Sequence, residues 1–110
     1  MTLSIITINL NNAGGLERTL ASVARQLPAE ISVEHVIIDG ASADSSVERI
    51  RAYAAASHPY KVVWVSEPDK GIYNAMNKGI RMAEGDYIQV RELHVQKYPY
   101  NDFLYDINEE

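Results

Sequence analysis

The chain reads as an α/β domain: a mostly parallel sheet of about four strands with helices on both faces. Three observations predict it. Short apolar runs alternate with amphipathic stretches, strand then helix three times and then a strand. The apolar runs are near-continuous instead of alternating in and out, which marks strands buried on both sides. Polar residues follow each of the first three runs, at the edge where right-handed crossovers gather the carboxyl ends of parallel strands.

Each element has its own signal. Leu3–Ile8 is a β-branched apolar run ending in Asn9, Asn11 and Asn12, a strand and then a turn. Leu16, Leu20, Val23 and Leu27 recur at helical spacing, and Pro28 closes that helix. Val33–Ile38 carries Val36, Ile37 and Ile38 into a second strand, ended by Asp39 and Gly40. Ser45 and Glu48 have the spacing of a capping box before a helix bearing Val47, Ile50, Tyr53 and Ala54. Val62–Val65 is a third strand, and Ile72, Ala75, Met76, Ile80 and Ala83 form a third helical stripe. Glu84, Gly85 and Asp86 turn the chain into a fourth strand starting at Tyr87–Val90. Beyond Val90 the periodicity is lost. The reading is therefore a domain over 1–90 and an atypical acidic, Tyr-rich tail over 91–110.

Composition narrows the function classes. The chain has 110 residues, the length of one domain. Its net charge is −5, which disfavours nucleic acid as a partner. Residues 91–110 hold 5 acidic and 2 basic side chains, against 10 and 8 in residues 1–90. There is no cysteine, hence no disulfide framework, thiol nucleophile or cysteine zinc site. Met1–Asn9 lacks the basic leader of a signal peptide, and no apolar run approaches a membrane span. A cytoplasmic location is expected.

Polar clusters at the strand ends are the candidate chemistry, since open α/β sheets bind ligands at that edge. Asp39 can accept from a base imide or a ribose hydroxyl, with Gly40 letting the backbone turn closely. Equally, Asp39 and Asp44 can cap the turn and the next helix. In Glu67–Gly71, Lys70 offers a point charge for phosphate beside a helix N-terminus. The plainer reading makes Asp69 an N-cap and Asn74, Asn77, Lys78 and Arg81 a solvated helix face. His35, His58 and His94 lack metal-ligand spacing. No serine has a nucleophile-elbow context, and no phosphate-binding glycine loop follows the first strand.

Three segments together carry a resemblance: Ser4–Asn12 (SIITINLNN), Ile37–Asp44 (IIDGASAD) and Ser66–Gly79 (SEPDKGIYNAMNKG). In order and spacing they resemble the N-terminal half of a family 2 glycosyltransferase, of Rossmann-like GT-A fold, over about residues 2–88. The closest wording is that of bacterial enzymes building surface polysaccharides. The resemblance implies a nucleotide-sugar donor, a UDP-sugar first, held across the strand ends. It implies that Asp39 contacts the base and that Asn9 lines the same pocket. Asp69 and Lys70 would lie against the nucleotide, and Asn77 with Gly79 would shape the donor pocket. Leu10 stands where the family commonly has tyrosine, and Asn74 where it has aspartate.

The family also implies a divalent metal, manganese or magnesium, held by an acidic turn after the fourth strand. Here that stretch reads Gln89–Gln96 without an aspartate, and Asp102 and Asp106 come too late to match. No metal ligand or catalytic base is therefore assigned. A reading-frame slip, an engineered end and a natural short paralogue all fit this break. The expectation is a truncated glycosyltransferase that binds donor nucleotide but lacks the metal and saccharide-acceptor parts. The alternative is a non-catalytic module of the same fold, forming a homo-oligomer that covers the truncated face.

Overall fold

A computed structural model describes residues 2–26 and 32–95. The elements follow in the order β1 (Thr2–Leu10), α1 (Ala13–Gln26), β2 (Ser32–Asp39), α2 (Ser46–Ala55), β3 (Lys61–Ser66), α3 (Ile72–Met82) and β4 (Tyr87–Val95). All three strand pairings are parallel, in the order β3-β2-β1-β4. The expected α/β sheet with helices on both faces is present. Leu27 and Pro28, expected to close α1, lie outside the described residues, as does the tail from Gln96 onward.

The strand order explains which face each helix covers. From β1 to β2 to β3 the chain steps one way, and right-handed crossovers put α1 and α2 on one face. It then returns past β1 to lay β4 on the far side, so α3 crosses the opposite face. Side chains alternate along the central strands accordingly. Ile6, Ile8, Val36 and Ile38 pack with Ala75, Met76 and Ile80 of α3. Ile37 packs with Leu16, Leu20, Ile50 and Tyr53 of α1 and α2, and Ile5 with Val23. Burying each of these Ile or Leu side chains is worth about 1.5–3 kcal/mol, so β1 and β2 form the rigid middle of the domain.

β4 runs to Val95, past the point where hydrophobic pattern is readable, because backbone pairing with β1 and not side-chain periodicity defines it. Its register slips by one residue between Ile6 and Ile8. Its start is stapled to the amino-terminal edge of the sheet. Buried Glu34 accepts from Ser4 Oγ at 2.5 Å and from the Glu84 N–H, and Gly85 N–H donates to Ser4 Oγ at 2.9 Å. Asp86 N–H donates to the Thr2 carbonyl at 2.8 Å.

A second polar line crosses the α1/α2 face. His35 is fully buried, with Nε2 2.9 Å from Thr7 Oγ1 and Nδ1 2.8 Å from Tyr53 Oη. Tyr53 Oη lies 2.7 Å from Tyr60 Oη. His35 is thus a satisfied core residue. Among the described residues no helix is long and apolar enough to cross a membrane.

Candidate functional site

Strand register assembles the site. Asn9 is the Cα partner of Asp39, Asp39 of Ser66, and Asn9 of His94 on the other side. Four strands thus end in one row, and β1 and β4 flank the point where the order reverses. That is where open α/β sheets take their ligands.

Asp39 is the hub of the row. It is fully buried and accepts four hydrogen bonds. Oδ1 accepts from Asn9 Nδ2 at 2.9 Å and from Ser42 Oγ at 2.7 Å. Oδ2 accepts from the Ser42 N–H at 2.9 Å and from Ser66 Oγ at 2.8 Å. Both oxygens are therefore engaged within the protein, and two of the four donors are rotatable serine hydroxyls. Asn9 is also fully buried, and its Oδ1 has no hydrogen-bond partner among the described residues. An acceptor without a donor is costly.

Two loops are interlaced above this hub. Asn11 N–H donates to Ser42 Oγ at 2.9 Å, and Ala43 N–H donates to Asn11 Oδ1 at 2.7 Å. Asn11 and Ala41 have φ of 51° and 64°, in the left-handed region. Asparagine tolerates it, whereas alanine is strained there. Asp44 caps two helices at once, accepting the Ala13 N–H at 3.0 Å and the Ser46 N–H at 2.9 Å. Burial pushes the Asp44 carboxyl up, but these hydrogen bonds outweigh it and the net shift is down. The capping box does not form. Ser45 makes no side-chain cap, and its Oγ instead accepts from Arg49 Nε at 3.0 Å.

The third segment folds against the same place. Gly71 and not Asp69 is the N-cap of α3. The Asp69 carboxylate instead pairs with Lys78 and lies against Gly40, where an added Cβ would stand 3.0 Å from Asp69 Oδ2 and 3.3 Å from Leu10 Cδ1. Lys70 is exposed, and its N–H donates to Asn74 Oδ1 at 3.0 Å. Asn77 is buried, not part of a solvated face. The structure thus brings Asn9, Asp39 and Asp69 together. Lys70 follows Asp69 in the same loop and Asn77 is buried within α3, and neither side chain hydrogen-bonds to that cluster among the described residues.

Sequence reasoning missed Ser42, Ser66 and Lys78 as the groups that hold Asp39 and Asp69. Both serines lay in the quoted segments. Ser42 meets Asp39 through the local turn three residues on, whereas the Ser66 hydroxyl acquires its role only when strand register supplies the carboxylate. Among the described residues no three His, Cys, Asp or Glu side chains gather as a metal centre. A hollow of about 550 Å³ between α1 and α2, lined by Glu17, Ala21, Glu48 and Arg49, includes none of the predicted site residues.

Comparison with known proteins gives a consistent result. The sequence model of the family described as Glycosyl transferase family 2 matches residues 4–96. An uncharacterized glycosyltransferase of Mycobacterium tuberculosis (strain CDC 1551 / Oshkosh) is 45% identical over 87 residues, 79% of this chain and 31% of its own length. A PGL/p-HBAD biosynthesis glycosyltransferase of Mycobacterium bovis (strain BCG / Pasteur 1173P2) is 33% identical over 85 residues, 77% of this chain and 32% of its own. The chain spans about a third of the length of these curated relatives. Among solved structures, the mannosyltransferase PcManGT from Pyrobaculum calidifontis, in complex with GDP-Man and Mn2+, superposes with a TM-score of 0.69 at 25% identity. That match covers 78% of this chain and 25% of that one. S. aureus TarS 1-349 shares the fold at a TM-score of 0.65 and 24% identity, over 82% of this chain and 26% of its own.

Proposed function

The chain belongs to glycosyl transferase family 2, and from that membership we propose that it binds the nucleotide of a nucleotide-sugar donor for glycosyl transfer in polysaccharide biosynthesis. The observation that carries the reading is the convergence of Asn9, Asp39 and Asp69 on one row of parallel strand ends at the point of reversal. Asp39 receives the base imide in exchange for a serine hydroxyl, Asn9 and Ser42 fix its orientation, and Asp69 and Lys70 lie along the ribose and phosphates. Asn77 shapes the wall beneath. A uridine diphosphate sugar is the expected donor. Guanosine is the second candidate, because PcManGT is solved with GDP-Man.

In the transfer itself an acceptor hydroxyl attacks the anomeric carbon. The new C–O bond forms as the bond to the diphosphate oxygen breaks, and a carboxylate base takes the hydroxyl proton. A bound divalent cation would supply charge neutralisation for the departing diphosphate. Donor binding is the part of this reaction that the described residues would serve. A cytoplasmic location belongs to the same proposal and is checked by cell fractionation.

Calorimetry with UDP and GDP, with and without Mn²⁺, is the test. Binding of either nucleotide that is lost in Asp39→Asn supports the reading; no heat with any nucleotide at millimolar concentration sinks it.

A second reading is favoured by one feature of the sheet edge. Tyr87 and Ile88 on outer strand β4 are 60% and 44% exposed. Among the described residues no strand pairs with the outer edge of β4, an open edge invites pairing, and a second copy of the chain is the occupant in that reading. Light scattering behind size exclusion decides it: a monomer at all concentrations removes the homo-oligomer.

A further inference from the structure

The Glu67–Lys70 loop is held by one cation from α3. Lys78 Nζ donates to the Pro68 carbonyl at 3.1 Å, pairs with Glu67 Oε2 at 3.1 Å and pairs with Asp69 Oδ1. The Lys78 side chain is 17% exposed and that of Asp69 is 9%. A lysine that merely solvated a helix face would extend into water. This one folds back over its own helix N-terminus and satisfies three acceptors on three successive residues.

The second oxygen of Asp69 lies against Gly40, the residue after Asp39. The Asp39 and Asp69 carboxylates are therefore close enough at the end of β2 to act on each other electrostatically. Three charged groups face Asp69: Asp39 from β2, Glu67 from the loop and Lys78 from α3. Only Lys78 is positive.

We propose that Lys78 is a positioning residue for nucleotide recognition: it holds the Glu67–Lys70 loop and the Asp69 carboxylate at the strand ends, beside Asp39, in the arrangement a nucleoside diphosphate meets. This deepens the nucleotide-sugar reading and rests on it. Burial pushes the Asp69 carboxyl up, Lys78 pulls it partly back, and Glu67 and Asp39 add to the rise. Burial opposes the charge on Lys78, but its hydrogen bonds to Asp69 and Glu67 outweigh that, and its net shift is up. Without Lys78, Asp69 would be a largely buried anion near another anion. It would then take up a proton or swing out with its loop.

The experiment compares Lys78→Met and Lys78→Arg with the unaltered chain. UDP and GDP binding is measured by calorimetry from pH 5 to 8, and the Asp69 carboxyl is followed by carbon NMR. Lys78→Met is expected to bind about tenfold or more weakly at pH 8, as when one partner of a buried ion pair is removed. The deficit should shrink toward pH 5, while Lys78→Arg retains most of the affinity. The Asp69 carboxyl in Lys78→Met should titrate at higher pH than in the unaltered chain. Asp69→Asn and the double variant close the cycle. Once Asp69 is neutral, removing Lys78 should cost no more than about threefold further.

Unchanged affinity in Lys78→Met overturns the proposal. So does an equal loss at every pH with the Asp69 titration unmoved, or full multiplication of the two losses in the double variant. If Lys78→Met fails to fold, Asp69→Asn and the double variant carry the decision: a further loss of clearly more than about threefold between those two overturns the proposal. An unaltered chain that binds neither nucleotide overturns the function, and the recognition role with it. The Asp69 titration then still reports whether Lys78 holds that carboxylate.

Discussion

At the residue scale, Asp39 joins three strands' worth of polar groups through a carboxylate that never meets solvent. Asp39→Asn keeps the shape but turns one acceptor oxygen into a donor facing other donors. A loss of about 2–3 kcal/mol in urea unfolding is expected, from the unsatisfied groups and the lost charge-assisted bonds. An unchanged midpoint would mean that the four bonds contribute nothing. Ala41 makes the opposite prediction. Its φ of 64° costs alanine about 1–2 kcal/mol, more than glycine's extra chain entropy. Ala41→Gly should therefore raise stability by about 0.5 kcal/mol, read as a higher Tm. Asn9 and Asp39 were legible as candidates because each ends an apolar run. The hydroxyls of Ser42 and Ser66 were not, since nothing local distinguishes a serine that holds a carboxylate from one that faces water.

At the element scale, α3 is the closest-fitting piece. A Cβ on Gly79 would stand 2.6 Å from Ile6 Cγ2, so the helix packs onto β1 only because that position is bare. Gly79→Ala should destabilise by about 1–3 kcal/mol through overpacking, despite alanine's better helix propensity; a gain in Tm would refute the close approach. Helices α1 and α2 share a cap. Asp44→Ala should cost about 1–2 kcal/mol, since it frees donors on two helix ends. The Asp44 carboxyl is shifted down, so its contribution is full above its ordinary value near 3.8 and is lost as pH falls through the lower folded value. Asp44→Ala should therefore flatten the acid limb of a Tm-against-pH curve. The helices themselves were legible from apolar spacing. Their caps were not: Ser45–Glu48 had the right spacing, but Asp44 reached the orphan N–H groups first.

At the scale of the whole molecule, two of the described groups, Tyr53 and Lys78, are shifted in the direction that costs stability at alkaline pH. Burial pushes the Tyr53 hydroxyl well up, reinforced by the hydrogen bond and charge of Tyr60, and Lys78 is also shifted up by its partners. A raised folded-state value gives stability that is full below the unfolded value and lost as pH rises through the folded one. Tm should therefore fall above about pH 10, and Tyr53→Phe should soften that fall; ultraviolet titration should find Tyr53 ionising above the ordinary tyrosine range. Taken by itself, the sequence determined the alternation of elements, the parallel sheet buried on both faces and the edge where the polar clusters lie. These follow from hydrophobic period and crossover handedness, which operate over about ten residues at a time. Only the tertiary structure decided the order β3-β2-β1-β4, the run of β4 to Val95, the exchange of Asp69 from helix cap to ion-pair partner and the burial of Asn77. Those depend on which residues meet across strands, as Asn9 and Asp39 do at a separation of 30 positions. A side chain's partner is set by register and desolvation, and neither is written in its neighbours along the chain.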